Sequence, residues 1–136
     1  MREPLYRIAH VSEIQTPAAP RDGVAPWLAV RRHFGIGSFG VSAYVAERGG
    51  DVFTSVHEES DTRHEELFYV ASGRVVFTVE DETFEAPVGT FVYVRDPALR
   101  RGAAALEPGT TLLAMGGEPG RAFEVSSWEQ DEAAGE

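Results

Sequence analysis

The chain contains no cysteine. That excludes a disulfide framework and any thiolate site for a metal or a nucleophile, and it fits a reducing compartment. No run approaches the ~18 apolar residues of a membrane-spanning helix. The opening residues, MREPLYRIAHVSEIQ, lack the apolar centre of a secretory signal. The expectation is a soluble, cytoplasmic protein without a membrane partner. Positive charge is scarce as well. Twelve basic residues face 22 acidic ones, for a net charge of −10. The basic residues pair only as Arg31-Arg32 and Arg100-Arg101. Phosphate backbones demand clustered cations, so nucleic acid is not an expected partner. A sustained helical period is also missing.

What remains has a β rhythm. Fourteen glycines and eight prolines punctuate 136 residues. Between them lie short runs rich in Val, Phe, Tyr and Thr, the pattern of an all-β sandwich or barrel. The expected strands are Ala29–Phe34, Phe39–Ala46, Val52–His57, Glu65–Ala71, Arg74–Val79, Thr83–Pro87, Thr90–Val94, Arg100–Ala105 and Thr110–Met115. Ser72-Gly73 and Glu80-Asp81-Glu82 read as hairpin turns. The length suits one domain. It divides into an N-terminal arm (1–28), a barrel (29–118) and a C-terminal segment with an acidic tail (119–136). A short helical turn is expected near Trp128–Ala134, and Trp27 and Trp128 read as packing anchors near the two chain ends.

The sequence GIGSFG (35–40) spells G-x-G-x-x-G. A dinucleotide fingerprint needs a strand before it and a helix opening at its third glycine. Here VSAYVAERGG follows, which has β character. The glycines therefore read as a bend between two strands.

The chemistry concentrates in HEESDTRHEELFYVASGRVVF (57–77). With Glu65–Ala71 as a strand, side chains alternate between its faces. His64, Glu66, Phe68 and Val70 share one face, and Glu65, Leu67, Tyr69 and Ala71 the other. If the first face points inward, His64 and Glu66 sit at the mouth of a core. His57 reaches the same mouth if the intervening loop folds back. A buried charge is costly unless it is paired or metal-bound.

This stretch resembles the first motif of the cupin family: glycine, His-x-His, Glu, six residues, Gly. Six residues separate Glu66 from Gly73, and Gly49-Gly50 stands where the opening glycine belongs. APVGTFVYVRDPALRRGAAA is similar in layout to the second motif, and counting from Gly89 puts Arg100 at its histidine position and Ala104 at its asparagine position. The resemblance covers roughly residues 39–116. It implies a cupin-type jelly-roll β-barrel in a single domain, and a homodimer.

The resemblance places Glu66 at a ligand position, and it leaves three readings of the site. In the first, His57, His64 and Glu66 hold one divalent transition metal (Zn, Mn, Fe or Ni), with Glu59 as a fourth ligand, and the protein is a cupin enzyme of dioxygenase or isomerase type. In the second, no metal is held. Arg100 then points into the mouth and, with Glu59 beside it, binds a small anionic molecule; a guanidinium cannot ligate and repels a cation. In the third, Glu58 to Glu65 is a solvated loop and Arg100–Glu66 a structural ion pair. Arginine at position 100 ranks the small-molecule reading ahead of the enzyme reading.

Overall fold

The computed structural model describes residues 4–129. Nine strands follow in chain order: β1 (Trp27–Leu28), β2 (Gly40–Val45), β3 (Val52–His57), β4 (Glu65–Ser72), β5 (Arg74–Val79), β6 (Glu82–Pro87), β7 (Phe91–Val94), β8 (Arg101–Ala105) and β9 (Thr111–Gly117). They form two antiparallel sheets. One has the order β1-β2-β9-β4-β7 and the other β3-β8-β5-β6. The fold is an all-β jelly roll of the cupin type.

The core lies between the sheets. Phe68, Val70, Leu112 and Ala114 come from one sheet, and Phe53, Val75, Phe77, Ala86, Ala103 and Ala105 from the other. Val70, Val75 and Leu112 are fully shielded. The alternation of buried and exposed residues along β4 and β5 follows the strand period.

Three local expectations change. The stretch Ala29–Phe34 is not a strand. Only Trp27–Leu28 pair with β2, and a short helix, α1 (Val30–Phe34), follows. Five residues are too few to display a helical period, and their Val and Phe content mimics a strand. Gly35 ends α1 in the left-handed region at φ 70°, donating back to Arg31 and Arg32 carbonyls. GIGSFG therefore links a helix to β2 rather than two strands. Ser72-Gly73 is not a hairpin turn either. β4 and β5 belong to different sheets, and the chain crosses between them at Gly73 (φ 71°). Glu80-Asp81 does close a hairpin, with Val79 opposite Glu82.

The residues before β2 lie against the barrel. Val24 bridges to Val52, and the Trp27 indole donates to Ser42 Oγ at 2.7 Å. Trp27 meets Trp128 edge to face at 5.0 Å. Arg31 forks onto Glu129, with Nη2 at 2.5 Å and Nε at 3.0 Å from Oε2. The C-terminal segment is thereby fastened to α1. Helix starts at Ser127; the rest of the helical turn expected at 128–134 and the acidic tail lie outside the described residues.

Candidate functional site at the barrel mouth

Strand pairing gathers one set of strand ends at a single mouth. Glu66, the second residue of β4, lies opposite Val94 and Gly116. It shares its face with the buried Phe68 and Val70 and so points inward. Glu65 points outward, where it accepts from the Tyr93 hydroxyl at 2.5 Å. On the facing sheet, β3 carries two register irregularities against β8, and its last residue, His57, ends opposite Arg101. Such bulges re-aim side chains at strand ends.

The loop between His57 and Glu66 is built rather than merely solvated. Glu59 donates its N–H to the Pro97 carbonyl at 2.7 Å, and its own carbonyl accepts from Arg63 N at 2.9 Å. Its Oε2 accepts from Thr62 Oγ1 at 3.0 Å, and its Oε1 lies 2.9 Å from His57 Nε2. Glu58, Asp61 and Arg63 face solvent. The other ring nitrogen of His57 lies 2.8 Å from the Ser55 carbonyl and 3.1 Å from Thr54 Oγ1.

One imidazole and two carboxylates converge as a result. His57, Glu59 and Glu66 each offer a ligand atom, and those atoms lie within 4.8 Å of one another. His64 is not in that group. It sits just before β4, lines the same small mouth cavity as Glu59 and Glu66, and packs its ring 5.7 Å from Phe123 of the C-terminal segment. The cluster as found takes in Glu59 and leaves His64 at its margin.

Arg100 does not face the mouth. It is exposed, and its backbone serves the loop through Glu80. Arg101 is the inward arginine. Its side chain is 1% exposed, and its Nη1 donates to Glu66 Oε1 at 3.3 Å while Nη2 donates to the Asp96 carbonyl at 3.2 Å. Its Nε has no hydrogen-bond partner among the described residues. β8 starts one residue later than expected, because the loop before it is closed by Asp96 capping Ala98 and Leu99. A slip of one residue reverses which arginine points in. The run RGAAA offers no large-small alternation to fix that register.

The electrostatics follow from this packing. Burial pushes the Glu66 carboxyl up, and the neighbouring Glu59 pushes it further, against Arg101 and His57, to about 7. Burial also raises Glu59, but the His57 hydrogen bond, with Thr62 and Arg101, outweighs it and leaves Glu59 below the usual carboxylate range. His57 is raised, first by its bond to Glu59, against burial. Tyr44, which the sequence did not single out for the site, lines the same cavity; burial and then the charges of Glu66 and Glu59 hold its hydroxyl far above its ordinary value.

No protein-family model matches the chain, and no curated protein matches it. Solved structures do. A Klebsiella pneumoniae protein with a double-stranded β-helix domain aligns with TM-score 0.62 and 18% identity, over 86% of this chain and 93% of that one. A cupin protein from Bacteroides fragilis aligns with TM-score 0.59 and 17% identity, over 84% and 92%. A candidate sugar phosphate isomerase from Acidithiobacillus ferrooxidans gives TM-score 0.59 and 23% identity over 69% of this chain. The present chain spans 60% of that last protein. With the two-sheet topology, these likenesses define a protein of the cupin fold.

Proposed function

We propose that the barrel mouth binds a small polar or anionic molecule through one divalent transition metal held by His57, Glu59 and Glu66. The convergence of their ligand atoms within 4.8 Å carries the reading. Nitrogen plus carboxylate oxygen suits Zn, Mn, Fe or Ni. The surroundings suit a cation too. The Ser55 carbonyl fixes one His57 nitrogen and leaves Nε2 aimed at the carboxylates, as a metal-ligating histidine requires. The two carboxylates raise the energy of each other's charge, and a cation between them relieves that. Three protein ligands leave coordination positions open for a small molecule, whose polarisation is the chemistry such an ion supplies. Arg101 then holds the far side of Glu66 and balances its charge.

A metal-free reading has its own support. His57–Glu59 and Arg101–Glu66 already form two ion pairs, and a mouth so paired could orient an anionic ligand without an ion. Elemental analysis of protein purified without a chelating column separates the two. Near-stoichiometric transition metal, lost in Glu66→Gln, is the expected result. Metal-free protein that also fails to bind added Zn or Mn would leave the ion-pair reading standing. We further propose a homodimer formed through the outer face of the five-stranded sheet, where Leu67, Tyr69, Phe91, Tyr93, Leu113 and Met115 lie on one side by register.

A further inference from the structure

A second cavity, of about 480 Å³, lies between the N-terminal segment and the barrel. Its walls include Trp27, Tyr44, Phe53 and Trp128, together with Ala18 and Ala25. The four rings form two edge-to-face pairs. Trp27 meets Trp128 at 66°, and Tyr44 meets Phe53 at 64° with centroids 6.0 Å apart. The charged residues at its edge, Arg21 and Glu47, are exposed. Tyr44 and Trp128 also line the mouth cavity that holds Glu59 and Glu66.

From this we infer that the cavity under the N-terminal segment is a binding site for a small, planar, uncharged aromatic molecule, distinct from the carboxylate cluster. The volume falls in the range of small-molecule pockets. Crossed aromatic pairs present ring faces and edges, and these select a flat π-system over a saturated ring of equal size. The Trp27 N–H is already given to Ser42, so the tryptophans act on a guest through their surfaces. A carboxylate or ammonium guest would leave the water without a buried partner among these rings, which costs more than the apolar contact returns. The inference does not depend on the metal at the mouth, because none of the three proposed ligands lines this cavity.

Indole is the probe. The chain has two tryptophans, and both line the cavity, so their side-chain N–H resonances report occupancy directly. Saturable one-to-one shifts with Kd of about 0.1–1 mM are expected for a guest of this size. Cyclohexanol should bind about tenfold more weakly or worse. Ala18→Trp, which fills the cavity from the N-terminal segment, should abolish indole shifts while Zn binding at the mouth is unchanged; Ala19→Phe serves if that variant does not fold. Absence of saturable shifts in wild type would overturn the proposal. So would full indole affinity in the filled variant, or cyclohexanol binding as well as indole. If a chain ending at Glu129 binds indole about tenfold more tightly, the cavity's natural occupant is the chain's own end, and the proposal falls.

Discussion

At the scale of single residues, Glu66 is the most informative group. Its carboxyl lies at about 7 in the folded chain, against an ordinary value of 4.5. A group raised on folding contributes stability that is present below the unfolded value and is lost as pH climbs through the folded value. Metal-free protein should therefore lose stability from pH 4.5 toward 7, and Glu66→Gln should lose less over that window. His57, also raised, acts in the same direction above its ordinary value of 6.5. Glu59 acts oppositely, since its lowered value contributes stability above 4.5 that disappears as pH falls. Carbon NMR of the Glu66 carboxyl should titrate near 7, and Glu59→Gln should move that midpoint down, because Glu59 is one cause of the rise. An unchanged midpoint would remove the like-charge account. A metal ion displaces the same protons, so Zn affinity should climb steeply up to neutral pH and level off above it.

Arg101 provides the second test at this scale. Its guanidinium is buried against a carboxylate, and removing one member of such a pair leaves the other uncompensated. Arg101→Ala should cost about 3–5 kcal/mol in urea unfolding above pH 7, where Glu66 is ionised, and less below it, where Glu66 takes up a proton. Arg100→Ala, on an exposed side chain, should cost under about 0.5 kcal/mol. Equal losses in the two variants would contradict the observed register.

At the scale of elements, the sequence made the strands legible because glycine and proline bracket runs whose burial alternates. β3 and β5 match their expected bounds, and most others lie within a residue or two. The inward face of β4 was legible for the same reason, since Phe68 and Val70 mark it. Two things were hidden. α1 is shorter than the pattern that would announce it. The start of β8 is set by the Asp96 turn, which counting along a motif does not see, and that moved the site's arginine from 100 to 101. Glu59 was weighed as a fourth ligand, but only the hydrogen bonds of its loop bring it beside His57. The spacing from Glu66 to Gly73 has a concrete basis. At Gly73 the chain turns from one sheet to the other in the left-handed region, and an added Cβ would sit 2.8 Å from the Thr110 Cα. Gly73→Ala therefore meets both backbone strain and a collision with backbone. It should destabilise by more than about 2 kcal/mol, while Zn affinity of the folded fraction stays unchanged because the crossing lies at the opposite strand ends from the mouth. Thermal unfolding alongside Zn titration checks both halves.

At the scale of the whole molecule, the outer face of the five-stranded sheet is unusual for a surface. Phe91 and Tyr93 on the edge strand β7 are 63% and 54% exposed, and the Phe91 ring lies 4.5 Å from that of Tyr69. Leu5, Tyr6 and Ile8 of the N-terminal segment are exposed as well. A sheet that is apolar on both faces is one that expects cover on both. A second copy satisfies this by symmetry, each sheet lying on the other. Charge opposes it, since every copy carries −10. Apolar contact is nearly indifferent to salt, whereas long-range repulsion is screened within about 10 Å at 0.1 M. The dimer should therefore tighten as salt is added, the reverse of an assembly held by ion pairs. Sedimentation at micromolar concentration should show twice the 14.8 kDa monomer mass, with the monomer fraction falling as NaCl increases. Phe91→Asp puts a charge on the exposed edge strand of the apolar strip without touching the core, and it should yield monomer with an unchanged unfolding midpoint in dilute solution. A wild type that sediments as monomer at every salt concentration would show that the face takes some other cover. A dimer that loosens with salt would place the contact on charged surface instead.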